Sequence, residues 1–120
     1  MVKLAKREEQ IMHVFWDLKK AFIRDIIPNL PDPKPHYNSV ATMVKILEEK
    51  GFLDHEPTGN MHSYFPVVSR EDYQKFALKD VVSQYFDNSY PRMLAFFAKE
   101  QKLTEKELNE IVTIIKKDKR

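Results

Sequence analysis

The sequence predicts a mainly α protein with a small β-hairpin, a winged helix-turn-helix (1–68) followed by a helical dimerisation region (69–120). Three observations carry that prediction. Apolar residues recur at helical spacing in three N-terminal segments. Two short extended runs around a turn signal follow the third of them. Beyond residue 68 the chain shows only helical spacing and helix-start signals.

From Lys6 to Leu18, Ile11, Val14, Phe15 and Leu18 stand at i, i+3, i+4 and i+7, with Met12 beside them, which is one face of an amphipathic helix. Phe22, Ile23, Ile26 and Ile27 repeat the spacing in a short second segment, and Pro28 keeps it from growing. Pro31, Pro33 and Pro35 make a stiff, extended connector. The third segment, Tyr37 to Lys50, carries Val40, Met43, Val44 and Leu47 on its apolar face, and Gly51 follows as a natural helix terminator. Its polar face holds Asn38, Thr42, Lys45 and Glu49. Extended runs are expected over 52–56 and 61–67, with Pro57-Thr58-Gly59-Asn60 as the turn.

Ser69-Arg70-Glu71-Asp72 resembles a capping box and opens a helix running to Phe86, with Tyr73, Phe76, Ala77, Val81 and Tyr85 along one stripe. Asp87-Asn88-Ser89 breaks it, and Pro91 suits the first turn of a segment holding Met93, Leu94, Phe96 and Phe97. Thr104-Glu105-Lys106-Glu107 is a second capping box, followed by Leu108, Ile111, Val112 and Ile115. Seven of the chain's 14 aromatic residues lie between 73 and 97. About three helices in so short a stretch cannot bury those faces among themselves, so they pack on the first domain or meet a second copy. Two-fold dimerisation is the commoner solution. Tyr73, Phe76, Ala77, Tyr85, Phe86, Met93, Leu94, Phe97, Leu108, Ile111, Val112 and Ile115 are the expected dimerisation residues.

Composition removes several functional classes. The chain has no Cys, which excludes a disulfide scaffold, a Cys-based zinc site and a thiol nucleophile. With only two glycines, Gly51 and Gly59, no Gly-rich phosphate cradle can be written. No apolar run approaches the ~18–20 residues of a membrane span. The N-terminus lacks the apolar core of a signal peptide, so a cytoplasmic protein without direct membrane insertion is expected. Nothing supplies a base, a nucleophile and an oxyanion donor together, so no catalytic residue is assigned and no enzymatic activity or cofactor is expected. His13, His36, His55 and His62 form no helical i, i+4 pair with a carboxylate partner, and no metal site is expected on spacing grounds. Phe15, Trp16, Phe22 and Phe52 read as core. The basic end, Lys116-Lys117-Asp118-Lys119-Arg120, reads as a solvated helix terminus.

The net charge of +2 argues against DNA binding by bulk electrostatics, yet residues 33–47 contain Lys34 and Lys45 and no acid. A helix fits the major groove of B-DNA with its N-terminal residues at the base edges. Asn38 can pair bidentately with adenine, Ser39 and Thr42 can reach bases or phosphates, and Ala41 can touch thymine methyls. Tyr37, Lys34 and Lys45 suit phosphates. The same residues also fit a plain solvated helix face with Asn38 or Ser39 as its cap. In the wing, Asn60 and His62 can donate to phosphates, although a plain hairpin turn fits equally well because the tip has no Arg or Lys.

Several segments, taken in order, resemble the penicillinase repressor (BlaI/MecI) family of bacterial transcriptional repressors. They are Glu8-Glu9-Gln10-Ile11-Met12 with Val14-Phe15-Trp16, then Ile23 with Asp25-Ile26, and Tyr37-Asn38-Ser39-Val40-Ala41-Thr42-Met43-Val44 continuing to Gly51-Phe52-Leu53. Tyr64, Pro66-Val67-Val68-Ser69, Tyr73, Phe76-Ala77-Leu78, Phe86-Asp87 and Ser89 extend the match along nearly the whole chain. The resemblance implies a homodimer that represses from a palindromic operator on double-stranded DNA, typically ahead of β-lactamase or related resistance genes. It also implies a membrane sensor protease that triggers cleavage within the dimerisation helices, in a segment matching Ala95, Phe96 and Phe97. The asparagine that the family usually carries before the phenylalanine is absent. The copper-responsive branch carries a C-terminal Cys cluster, which this Cys-free chain cannot form. The family often has Thr where Ala5 stands and Arg where Lys45 stands, and Lys45 keeps the charge without the bidentate fork. Two other readings stay open at this point: a winged helix that binds a partner protein and no DNA, and a repressor that senses a small ligand directly.

Overall fold

The computed structural model describes residues 1–100 and 103–118; Lys119 and Arg120 of the basic end lie outside them. The order is α1 (Lys6–Leu18), α2 (Ile23–Ile26), a 3-10 turn (Ile27–Asn29), α3 (Tyr37–Glu49), β1 (Leu53–Thr58), β2 (Met61–Pro66), α4 (Arg70–Tyr85), α5 (Tyr90–Lys99) and α6 (Glu105–Asp118). It is mostly helical, with one antiparallel hairpin. Among the described residues no helix is long and apolar enough to cross a membrane.

α1 starts at Ala5, whose methyl offers no acceptor; the Glu8 carboxylate accepts from the Ala5 N–H at 2.9 Å and supplies half of a capping box. Its stripe of Ile11, Met12, Val14 and Phe15 is buried, while Leu18 stays 43% exposed. Pro28 has no N–H to continue α2, and the chain tightens into the 3-10 turn, which leaves Leu30 buried behind it. Phe22 is not core: it precedes α2, half-buried, with the Arg24 guanidinium 5.2 Å from its ring centroid. Trp16 is also half-buried, because its indole N–H reaches the Val68 carbonyl at 2.9 Å at the edge of the unit.

α3 buries Val40, Val44 and Leu47. It ends in a Schellman closure, in which the Gly51 N–H donates to Glu48 O and the Phe52 N–H to Leu47 O at 3.0 and 2.9 Å. That closure needs the left-handed backbone Gly51 provides (φ +83°). In the hairpin Thr58 pairs with Met61, so the turn is only Gly59-Asn60, two residues shorter than expected. Gly59 takes φ +65° at its first position, as a type II′ turn requires. Pro57 lies inside β1 opposite His62, which is tolerated because β1 is an edge strand. On the other side of β2, Ala21 and Tyr64 exchange backbone hydrogen bonds of 3.0 and 2.9 Å, a second, single-pair ladder that ties the α1–α2 connection to the wing.

The chain divides into two compact units, Met1–Ala77 and Leu78–Arg120. α4 begins in the first, with the Ser69 hydroxyl accepting from the Asp72 N–H at 3.0 Å. Of the residues expected on a dimer-forming face, Tyr73 belongs to the core of the N-terminal unit, and Phe76 and Ala77 pack half-buried against it. The reason is geometric: Tyr73 is 5% exposed, its hydroxyl accepts from the Leu4 N–H at 2.9 Å, and it donates to Glu9.

In the C-terminal unit α4 ends where Asp87 and Asn88 take positive φ (54° and 60°). Ser89 caps α5 by accepting from the Arg92 N–H, and Pro91 lies in its first turn. Thr104 and Glu107 complete a reciprocal capping box on α6 at 3.1 and 3.0 Å. Tyr85, Phe97, Val112 and Ile115 are exposed, while Phe86, Met93, Leu94, Leu108 and Ile111 are half-buried.

Candidate nucleic-acid interface

The residues of α3 fall on stripes set by its 3.6-residue turn. Val40, Val44 and Leu47 anchor the inner stripe in the core, which forces Asn38, Thr42 and Lys45 outward as an exposed polar stripe. Tyr37, Ala41 and Lys45 form the adjacent stripe at i, i+4 and i+8, and it faces the wing. Between it and the hairpin lies a cleft of about 370 Å³, lined by Ile23, Tyr37, Ala41, Lys45, Asn60, Met61, His62 and Tyr64. Five residues picked out from sequence, Tyr37, Ala41, Lys45, Asn60 and His62, therefore meet in one place. Asn38, Ser39 and Thr42 stand exposed beside it.

Neither Asn38 nor Ser39 caps α3. The helix starts from His36, without a side-chain hydrogen bond, so the amide of Asn38 is not spent on the backbone. The Thr42 hydroxyl donates to the Asn38 carbonyl at 3.0 Å, leaving its oxygen lone pairs and its methyl facing outward. Lys45 makes no ion pair among the described residues.

Lys34 behaves differently from expectation. Its ammonium donates to the Pro28 carbonyl at 3.1 Å and to the Leu30 carbonyl, and the Asp32 carboxylate lies 3.5 Å away. Asp32 stands just outside the acid-free stretch, so Lys34 bridges the connector instead of standing free for a phosphate.

Ile23, Met61 and Tyr64 line the cleft but were not picked out from sequence. Tyr64 is 5% exposed and held by its ladder with Ala21. Burial, followed by the nearby Glu48 and Tyr37, pushes its phenol above the ordinary value, so it stays a neutral floor. Its place depends on that ladder, which leaves no local sequence signal. At the wing, the exposed His62 ring stacks on His55 with centroids 4.4 Å apart and planes 12° from parallel. His55 is in turn held by Glu48, on the last turn of α3.

The segment Ala95–Phe97 lies inside α5, with all three residues exposed.

Comparison with known proteins assigns the chain to a family. A family model described as penicillinase repressor fits residues 4–117. The methicillin resistance regulatory protein MecI of Staphylococcus aureus (strain N315) is 21% identical over 116 residues, covering 96% of this chain and 94% of that protein. MecI of Mammaliicoccus sciuri is 21% identical over 118 residues, with the same coverage. The penicillinase repressor of Bacillus licheniformis is 23% identical over 122 residues, covering 98% of this chain and 92% of that protein. A match running from the first core residue, Leu4, into the last turns of α6 covers both units, and the chain belongs to the penicillinase repressor family of transcriptional regulators.

Proposed function

We propose that this protein is a sequence-specific DNA-binding repressor that acts in the cytoplasm as a homodimer on a palindromic operator, ahead of β-lactamase or related resistance genes. The observation that carries the reading is the outward stripe of α3. Asn38, Thr42 and Lys45 stand exposed on the face opposite the core, beside a cleft whose far wall is the wing. That arrangement suits a helix laid in the major groove: Asn38 and Thr42 reach base edges from the N-terminal half while Lys45, Tyr37, Asn60 and His62 hold flanking phosphates.

The formal charge of residues 1–68 is zero, so one such unit gains little from bulk attraction to DNA. Two units bound one helical turn apart (~34–36 Å) share the ordering cost of a single binding event, and the dimer holds where a monomer does not. The exposed Tyr85, Phe96, Phe97, Val112 and Ile115 of the C-terminal unit support that pairing. Repression is then relieved by anything that weakens the pairing. Proteolysis triggered by a membrane sensor protease at Ala95–Phe97 would do so by splitting α5, after local unwinding of that helix.

The test is a salt titration of binding to double-stranded DNA. A steep linear fall of log affinity with log salt, with a slope of about −0.9 per phosphate neutralised, is expected. A flat response would contradict DNA binding and favour a protein-interaction module. Release of DNA by a purified small ligand, with the chain intact, would contradict the proteolytic route.

A further inference from the structure

We propose that Glu48, Asp54 and His55 form a binding site for a divalent first-row transition cation of the Zn²⁺ class, at the joint between α3 and the wing. One ligand atom from each, two carboxylate oxygens and an imidazole nitrogen, lie within 4.8 Å of one another, the one such group among the described residues. His55 Nδ1 already meets the Glu48 carboxylate, and Asp54 Oδ1, which accepts the backbone N–H of His55 at 2.8 Å, lies within reach of the pair. Bonds of about 2.0–2.2 Å in a tetrahedral ion place donor atoms roughly 3.5 Å apart, so a small rotation of the exposed Asp54 side chain completes three ligands and water takes the open position. One nitrogen and two oxygens, with no thiolate, suit Zn²⁺, Co²⁺ or Ni²⁺ over Cu⁺.

The site is invisible to spacing rules because its ligands come from two elements. Glu48 is on the last turn of α3, Asp54 and His55 are on β1, and the Gly51 closure folds one back onto the other. A bound ion would fix β1 against the end of α3 and, through the His55–His62 stack, hold the wing residue beside the cleft. This site does not depend on the DNA-binding reading, and its test uses no DNA.

The full-length protein is titrated with Co²⁺, followed by its visible absorption, and with Zn²⁺ by calorimetry. Saturable one-to-one binding with a dissociation constant of about 10 μM or tighter is expected. His55→Ala and the isosteric Glu48→Gln should each weaken it at least about tenfold, while His36→Ala leaves it unchanged. Circular dichroism confirms that each variant is folded. Weaker or non-saturable binding by the wild-type protein, or binding retained in both variants, overturns the site.

Discussion

The Tyr73 phenol donates to the Glu9 carboxylate at 2.6 Å, joining the start of α4 to the first turns of α1 across 64 residues of sequence. The same oxygen accepts the Leu4 N–H, so one side chain ties down the N-terminal arm, α1 and α4 together. Burial first, and then the Glu9 carboxylate, push the phenol up to about 12. A raised value in the folded state means a contribution that is fully present below the unfolded value near 10 and is lost as pH rises toward 12. Denaturant titrations should therefore show stability falling across that window. Tyr73→Phe should flatten the fall and destabilise the protein at neutral pH by about 1–3 kcal/mol, because the buried Leu4 N–H is left without its partner.

Glu8 governs the acid side. Burial opposes its ionisation, but the Lys50 ammonium at 2.8 Å and the Ala5 N–H outweigh burial and hold the carboxyl below its usual value. A depressed value in the folded state gives stability that is present above the unfolded value and lost as pH falls through the folded one. Glu8→Gln should shrink the loss of stability on acidification below about pH 4.5. Chemical denaturation of both proteins across that range checks it.

α1 begins with an unfilled cap. Ala5 stands at the position where an accepting side chain would satisfy an orphan N–H, and it is exposed, so a hydroxyl fits there. Ala5→Thr or Ala5→Ser should stabilise the protein by about 0.5–2 kcal/mol, read as a rise in denaturation midpoint at unchanged slope.

Pairing through the C-terminal unit, as proposed, can be broken separately from the fold. Phe97 and Ile115 are 38% and 48% exposed, and neither belongs to the N-terminal core. Phe97→Lys combined with Ile115→Lys should shift sedimentation from dimer to monomer and weaken operator binding at least about tenfold, while leaving the fold of the N-terminal unit intact by circular dichroism. An unchanged dimer would remove this face from the interface.

Much of this fold was legible in the sequence because its signals are local. The stripes of α1 and α3, Gly51 as terminator, the break at Asp87-Asn88 and the capping box at Thr104-Glu107 each act within a few residues. Misplacements came from long-range partners. Tyr73 has the spacing of a dimer stripe, and only the distant Leu4 and Glu9 show that it is core. Lys34 belongs to an acid-free window, yet Asp32 and two backbone carbonyls occupy it. Pro57 reads as a turn residue, but the open edge of β1 accommodates it. The α3 face of the candidate interface followed from periodicity, whereas Tyr64 and the Ile23 side of the cleft depend on a bridge to Ala21 that no local pattern announces.

In the proposed repressor, α3 reads sequence through Asn38 and Thr42 while Lys45 holds phosphate. The most direct measurement of this is the ratio of affinities for a palindrome selected by the wild-type protein and for its scrambled counterpart, by fluorescence anisotropy at fixed salt. Asn38→Ala should lower that ratio by about 1–3 kcal/mol, roughly 5- to 150-fold. Lys45→Ala should weaken both DNAs alike and reduce the salt slope by about one. An unchanged ratio for Asn38→Ala, with binding otherwise intact, would mean that α3 does not read the operator through Asn38.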